Sequence, residues 1–241
     1  MGGYRGVVEK FFLFVLLSWI TGNPLLALLA ILLMSAGAYG YLTGGIFRLP
    51  RAVTRSRTIR ELERAVRTNP HDAAARADLG RLLVEARRHR EAVPHLEMAA
   101  ARMPEVAETL YYLGAARLGA GDRDEGQPLI EEALARDPRL RYGEPHLTLG
   151  DYYLDRDPAR AVPYLEELTA LNVSSVEGRY KLARAYLAIA EPERARRALD
   201  DAIETYRGCP AFRRREERLW RLRAGWLRRK IGRTAPPRSE A

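Results

Sequence analysis

A pattern of small, large apolar and proline residues recurs roughly every 34 residues, and it constrains the fold more than any other feature. Its first full copy has Leu79 and Gly80 together, followed by Ala92, Leu96 and Pro104. Later copies return the same residue types in the same order, with the three- and four-residue spacing of amphipathic helices. A repeat of this length cannot bury its apolar residues alone. We therefore expect the chain to stack similar helix pairs around a continuous core.

The repeat region extends over residues 58–207 and begins with a half repeat. We predict two antiparallel helices, A and B, in each full repeat. Repeat 3 is irregular, because Gly143-Glu144-Pro145 adds about two residues before its A helix and the turn from Asp155 to Pro158 is about one residue shorter than its equivalents. The half repeat and the full repeats span 58–70, 73–104, 107–138, 143–172 and 176–207.

The repeated positions resemble the tetratricopeptide repeat (TPR) family. Small residues such as Gly80, Gly114 and Ala183 stand where the paired helices of that family approach most closely. The resemblance implies an all-α fold, the right-handed α-α superhelix of a TPR solenoid. Two positions depart from the family pattern: Arg117 stands where the other full repeats have leucine or tyrosine, and Arg76 replaces an aromatic residue found in many members.

The concave face of such arrays is formed mainly by the A helices, and the resemblance implies that it receives a protein or peptide partner. The pattern at these positions fits a groove for an amphipathic segment, and it equally fits an ordinary half-solvated surface. The family's clamp for a C-terminal carboxylate needs asparagines on successive A helices, and Asn69 and Asn172 are not placed there. The candidate partner-binding residues are Ala77, Arg81, Val84, Tyr111, Ala115, Leu118, Leu147, Asp151, Leu154, Tyr180, Arg184 and Leu187.

The N-terminal segment, residues 1–47, has the composition of a membrane anchor. No charged residue occurs from Phe11 to Phe47, and a straight helix over this run would reach roughly 55 Å, well beyond the ~30 Å hydrocarbon core of a bilayer. Because Gly22-Asn23-Pro24 is a turn signal inside the run, we predict a transmembrane helical hairpin with helices over about 7–21 and 24–42. Two alternatives remain: a first helix that lies at the membrane interface, and a signal peptide cleaved after Ala36-Gly37-Ala38.

Basic residues flank the apolar run on both sides, with Arg5 and Lys10 before it and a basic juxtamembrane linker, residues 48–57, after it. The positive-inside rule then predicts that the repeats face the cytoplasm and that the hairpin contacts membrane lipid. Arginine far outnumbers lysine, which we take as a mark of a GC-rich bacterial genome. The predicted location is therefore the bacterial cytoplasmic (inner) membrane.

Residues 211–232 form a basic amphipathic segment, and residues 233–241 have the composition of a disordered tail. Leu219, Trp220 and Trp226 recur at helical spacing, which predicts a C-terminal capping helix that closes the repeat core. The same composition is typical of a helix that lies on anionic lipid or docks an acidic partner. Nucleic acid is disfavoured as a partner, because no recognised nucleic-acid-binding motif accompanies the charge.

The sequence predicts no enzyme, cofactor or metal site. The four histidines lack a metal-ligand spacing, Cys209 stands alone, and no glycine-rich phosphate loop is found. The favoured function is a membrane-anchored TPR scaffold or adaptor that binds a protein or peptide partner. Two alternatives remain: a structural subunit of a larger membrane complex, and a nucleic-acid-binding regulator that uses the basic C-terminal helix.

Overall fold

The computed structural model describes residues 14–16, 18–20, 22–25, 27–28 and 51–234. Within the last range, side chains are described for residues 55–231. The chain separates into two compact units, Met1–Thr58 and Ile59–Ala241. Each unit is described by itself below.

The described residues of the N-terminal unit are helical before and after a break at Gly22 and Asn23. Gly22 has a φ of 63°, and the Oδ1 atom of Asn23 accepts a hydrogen bond of 2.9 Å from the backbone N–H of Leu25. This geometry places Pro24 at the first helical position after the break. Most of the predicted hairpin lies outside the described residues. No helix within the described ranges combines the length and the apolar character needed to cross a membrane.

From Arg51 onward the structure is a succession of antiparallel helix pairs. The first helix is longer than predicted: it begins at Arg51, so residues 51–57 of the expected linker are helical, in keeping with the absence of glycine and proline there. A short 3-10 helix, Leu140–Gly143, precedes the A helix of repeat 3. The α-helices are α1 (Arg51–Thr68), α2 (Ala73–Glu85), α3 (His89–Arg102), α4 (Ala107–Ala120), α5 (Arg123–Arg136), α6 (Glu144–Leu154), α7 (Pro158–Leu171), α8 (Val176–Ala188), α9 (Pro192–Gly208) and α10 (Ala211–Thr234).

Side-chain caps and prolines set several helix starts. Asp72, Asp157 and Ser175 each accept a hydrogen bond from a backbone N–H in the first turn of the helix that follows. Pro158 and Pro192 occupy the first position of α7 and α9, where a missing N–H removes no helical hydrogen bond. These local signals explain why the helix starts follow the repeat register.

The A helices of repeats 1, 2 and 4 end in the same turn. Its key residue has a positive φ: 60° at Arg87, 108° at Gly121 and 61° at Ala190. In each case the N–H of this residue and the N–H of the residue after it donate to carbonyl groups at the end of the helix, as in the hydrogen bonds from Arg88 to Leu83 (2.9 Å) and from Glu191 to Tyr186 (2.8 Å). The turn therefore requires a left-handed residue, and repeat 2 alone of these three uses glycine for it.

The paired helices of repeat 2 meet at two glycines, as the family resemblance implies. A Cβ atom on Gly114 would lie 2.6 Å from the backbone oxygen of Gly126, so a larger residue would force the helices apart. Around such contacts the A and B helices bury Leu79, Leu96 and Ile130 with no exposed surface. This close packing forms the core of the array.

The apolar core divides within repeat 3, along α6, and the irregularity that the sequence predicts lies just before this helix. One buried cluster runs from Ile59 to Leu149 and the other from Tyr153 to Ile231. Just before α6, Arg141 and Tyr142 have φ values of 48° and 54°, which are strained for residues other than glycine. The inserted 3-10 turn thus interrupts the regular stacking of repeats.

Arg117, which departs from the family pattern, is accommodated by ion pairs. Its guanidinium pairs with Glu97 of α3 at 2.5 Å and also with Glu125 of α5, so the arginine joins two neighbouring B helices.

At the C-terminal end, α10 packs against α8 and α9, and Ala224 and Ile231 belong to the second buried cluster. The predicted capping helix therefore closes this end of the core.

Candidate partner-binding face

The A helices α2, α4, α6 and α8 carry the residues predicted to bind a partner, at equivalent positions along each helix. We call this surface the A-helix face. It consists of the predicted residues together with the charged residues, on these helices or next to their ends, that are described below.

The structure leaves most, but not all, of the predicted residues accessible. Asp151 and Arg184 are exposed. Tyr111 and Leu154 are only 3% and 5% exposed, so the expectation that they contribute accessible surface is corrected. The hydroxyl of Tyr111 lies 3.1 Å from Oγ1 of Thr148, across the junction of repeats 2 and 3. The half-buried remainder is Ala77, Arg81, Val84, Ala115, Leu118, Leu147, Tyr180 and Leu187.

Tyr111 is a structural residue for a physical reason. Desolvation by burial raises the pKa of its hydroxyl, with the charge of Glu144 adding in the same direction, so the hydroxyl stays protonated and able to hydrogen-bond. Leu154 belongs to the second apolar cluster at the end of α6. Both side chains fill space between helices, which helical spacing alone does not distinguish from an open groove.

A cleft of about 200 Å³ opens between α2 and α4. Ala77 and Arg81 line it, as do Asp78, Glu108 and Tyr112, which were not among the predicted residues. Arg81 pairs within α2 with Asp78 at 3.3 Å and Glu85 at 3.2 Å. Apolar and charged side chains therefore both line the cleft.

Ion pairs also join successive repeats along the face. Arg141 donates to Glu108 of α4 at 2.9 Å and also pairs with Glu144 of α6, so it bridges the irregular junction. Arg184 of α8 donates to Asp155 at 2.8 Å. These pairs hold the charged side chains in place while leaving them partly accessible to solvent.

Lys181 is the most buried charge on this face, with 7% of its surface exposed. Its Nζ atom donates to Oδ2 of Asp151 at 2.6 Å and also to Glu177 one helical turn earlier. The same ammonium lies 5.2 Å from the centre of the Trp220 ring. Lys181 therefore ties together repeat 3, repeat 4 and the C-terminal helix.

The C-terminal helix covers part of the repeat 4 surface. Trp220 packs against Tyr180, with ring centres 5.6 Å apart. Glu217 accepts a hydrogen bond of 3.3 Å from the backbone N–H of Glu177, at the start of α8. Burial raises the pKa of Glu217, and this hydrogen bond partly offsets the rise. Tyr180 therefore contacts α10 and remains half-buried.

The accessible charge on the A-helix face is mainly negative. Arg81, Arg141, Lys181 and Arg184 are its bases, and each already pairs with at least one carboxylate. Sequence reasoning missed several of the acids because it considered three positions per A helix, although Glu108 and its equivalents recur at the repeat spacing. The carboxylates are Asp78, Glu85, Glu108, Glu144, Asp151, Asp155 and Glu177.

The remaining titratable residues include the histidines and the single cysteine. Within the described ranges, histidines, cysteine and carboxylates form no cluster of three that would hold a metal ion. Desolvation by burial lowers the pKa values of His89, His95 and His146. Cys209 is buried as a free thiol.

The helix pairs, their close contacts at small residues and the capping helix define a helical repeat protein of the solenoid class. Sequence profiles of the tetratricopeptide repeat match residues 57–107, 77–138 and 152–219. The chain belongs to the tetratricopeptide repeat family. Proteins of this family generally mediate protein or peptide interactions.

Solved structures of TPR proteins share the fold. The MamA protein superposes with a TM-score of 0.56 at 16% identity, over 72% of this chain and 90% of that one. A thermophilic TPR protein from Thermus thermophilus gives 0.55 at 22% identity, over 80% and 97%. YrrB, described as a TPR protein with an unusual peptide-binding site, gives 0.52 at 18% identity, over 64% and 79%. A search of curated sequences gave no significant match.

Proposed function

We propose that this chain is a scaffold that binds a protein or peptide partner on its A-helix face, and that the bound segment presents basic residues among apolar ones. The observation that carries this proposal is the excess of accessible carboxylates over bases on that face. Membership of the TPR family supports the general role. The peptide-binding site of YrrB supports peptide recognition by a protein of the same fold.

The geometry gives each group a part in binding. Leu118 and Leu147 are half-buried and offer apolar surface, while Glu108 and Asp155 are accessible to lysine or arginine side chains of the partner. Exposed charges of this kind steer association and select partners more than they add affinity. Buried Lys181 holds the repeats in register beneath the bound segment.

Selection of a displayed random peptide library against the purified chain tests this proposal. We expect enriched peptides to have net positive charge and apolar residues three or four positions apart. The double variant Glu108→Lys and Asp155→Lys should weaken binding of a fluorescent copy of such a peptide by about tenfold at low salt, because charge complementarity is reversed. Glu204→Lys, at an exposed position on α9, is the matched control and should bind normally.

Enrichment of acidic peptides, or equal loss of binding in the control, would overturn the proposal. Melting curves of all variants show whether the fold is intact. Because the substituted carboxylates are accessible, we expect their melting temperatures to stay close to the parent.

We also propose that residues 1–47 anchor the chain in a bacterial inner membrane, with the repeats in the cytoplasm. The uncharged run from Phe11 to Phe47 and its basic flanks support this. Among the described residues of the segment, Trp19, Ile20 and Leu25 have exposed apolar side chains. A lipid environment would remove these side chains from water.

Cysteine accessibility tests the topology. Cys209 is buried and is therefore a poor reporter. In a Cys209→Ala background, Asn23→Cys should react with a membrane-impermeant maleimide in intact spheroplasts, whereas Ala101→Cys on exposed α3 surface should react only after lysis. Labelling of Ala101→Cys before lysis would refute the cytoplasmic location, and release of the chain by high salt alone would refute the anchor.

A further inference from the structure

Helix α10 has two different faces, and only one of them takes part in capping. The packed face carries Glu217, Trp220, Ala224, Leu227 and Ile231, which recur at three- and four-residue steps. Ala224 and Ile231 are buried in the second apolar cluster, and Trp220 and Leu227 pack against it. These residues are sufficient to close the end of the array.

The opposite face of α10 is also apolar, and the residues that the structure describes leave it exposed. Phe212, Leu219, Leu222 and Trp226 are each between 53% and 78% exposed. At 3.6 residues per turn they fall within an arc of about 80° and extend along about 21 Å of helix. We call these four residues the outer stripe. A capping helix needs a polar outer face, so capping does not explain the outer stripe.

Basic side chains surround the outer stripe. Arg215 lies within the same arc, Arg218 and Arg229 lie along one edge, and Arg223 lies along the other. Arg215, Arg218 and Arg229 are exposed, and they form no ion pair with the part of the chain that the structure describes. By contrast, Arg228 on the flank of the packed face pairs with Asp200 at 2.8 Å. The outer face thus combines apolar side chains with unneutralised positive charge.

We propose that the outer stripe of α10 docks on the surface of an anionic lipid bilayer. Phe212, Leu219, Leu222 and Trp226 would enter the boundary between headgroups and acyl chains, where aromatic rings and leucines of interfacial helices lie. The arginines would reach lipid phosphates by extending their side chains toward water. This inference depends on neither the A-helix face nor the nature of residues 1–47.

Charge favours lipid over a second copy of the chain. Two copies meeting through this face would bring together four arginines from each copy, with Glu216 as the one exposed carboxylate beside them on α10, which is unfavourable. An anionic bilayer supplies negative charge over its whole surface, and each nearby basic residue raises the affinity for it about fivefold. It also accepts a narrow apolar stripe without requiring a matching pocket. An acidic protein would supply the negative charge, but it would also need a pocket that matches the outer stripe.

A fluorescent probe on the outer stripe tests the proposal in the full chain. Leu222→Cys in a Cys209→Ala background is labelled with an environment-sensitive dye, and the chain is mixed with vesicles. With phosphatidylglycerol and phosphatidylcholine together we expect a blue shift of emission that high salt reverses, because salt screens surface charge. With phosphatidylcholine alone we expect little shift. The matched control is the same dye at Ala101→Cys, on exposed α3 surface, which should not respond.

A second pair of variants isolates the charge. Arg215→Gln with Arg229→Gln should weaken the affinity for anionic vesicles by roughly 25-fold, at about fivefold for each arginine. The control pair is Arg207→Gln with Arg197→Gln, which removes the same charge from exposed positions on α9 and should leave the response unchanged. All four positions are exposed, so circular dichroism should show an unchanged fold.

Several outcomes would overturn the proposal. One is the absence of an emission shift with both kinds of vesicle. Another is an equal shift with anionic and with phosphatidylcholine vesicles, and a third is an equal response of the Ala101→Cys control. A shift with poly-aspartate but not with vesicles would assign the face to an acidic protein. A shift that depends on chain concentration without vesicles would assign it to a second copy.

Discussion

The Nζ atom of Lys181 lies 2.6 Å from Oδ2 of Asp151, a contact that joins repeat 4 to repeat 3 beneath the A-helix face. The lysine is buried, whereas about half of the Asp151 side chain remains accessible. Lys181 is therefore held in place by its surroundings, whereas the carboxylate of Asp151 is available to exchange partners. Trp220 of the C-terminal helix packs on the same ammonium, so the contact also couples the cap to the array.

Removal of the Lys181 charge should destabilise the array. Lys181→Met keeps most of the side-chain volume but leaves Asp151 and Glu177 facing each other. We expect the free energy of unfolding to fall by about 1–3 kcal/mol, less than for a fully buried pair because both carboxylates are partly exposed. Arg207→Met breaks the exposed pair with Glu204 and should change the free energy of unfolding by less than about 0.5 kcal/mol. Urea unfolding compares the two, and equal effects would contradict a structural role for Lys181.

The shared turn at the end of the A helices predicts a reciprocal pair of substitutions. Ala190 has a φ of 61°, so Ala190→Gly should relieve backbone strain and stabilise the chain by about 0.5–1 kcal/mol. Gly121→Ala places a side chain at the equivalent position, where φ is 108°, and should destabilise it by about 1 kcal/mol or more. No atom lies within 4 Å of an added Cβ at Gly121, so the effect there comes from the backbone alone.

Thermal melting measures both changes. Ala65→Gly, at an exposed interior position of α1, is the control for helix propensity and should cost about 1 kcal/mol. If Ala190→Gly destabilised as much as Ala65→Gly, the assigned left-handed turn would be wrong.

The close approach of α4 and α5 predicts a severe effect of one methyl group. In Gly114→Ala the new Cβ would lie 2.6 Å from the backbone oxygen of Gly126, and neither backbone can move without separating the helices. We expect a loss of about 2–3 kcal/mol in the free energy of unfolding. Gly208→Ala, which has no neighbour within 4 Å at the end of α9, should be neutral or slightly stabilising. A mild effect of Gly114→Ala in urea unfolding would contradict this packing.

Stability should fall at mildly acidic pH because of the buried histidines. Burial lowers the pKa of His146 below its usual value of about 6.5, so the unfolded chain binds a proton more readily than the folded one. Stability from this group is therefore complete above about pH 6.5 and declines as pH falls toward the pKa of the folded state. His89 and His95 act in the same direction.

Unfolding in urea at about pH 7.5 and pH 5.5 tests this prediction, with the parent losing stability at the lower value. His146→Leu should reduce the loss, while His71→Leu, at an exposed position, should not. An unchanged pH dependence in His146→Leu would show that the protonation of His146 does not differ between the two states.

Sequence reasoning placed the helix pairs well because the governing interactions are local and repeated. A glycine at Gly114 and a leucine at Leu96 have the same surroundings in every copy, so periodicity predicts their burial. The irregular start of repeat 3 was also visible, since Gly143 and Pro145 disturb the spacing. Repeat 3 then divides the apolar core into two clusters, which spacing alone does not predict.

The candidate binding face was predicted less completely. Helical spacing assigns Tyr111 and Asp151 to the same side of successive A helices, yet one is buried and the other exposed. The difference depends on Thr148 and Lys181, each at least 30 residues away along the chain. Interactions between such distant residues leave no periodic signal in a single sequence.

The sequence by itself determined that this chain is a TPR array with a basic C-terminal helix and an uncharged N-terminal run, because repeat spacing and charge are properties of local order along the chain. The tertiary structure decided which charges remain accessible, because burial depends on what packs from other repeats. It also decided that α10 caps the core with one face and leaves Leu222 and Trp226 on the other exposed to solvent. Both faces carry apolar residues at helical spacing in the sequence, and only packing distinguishes them.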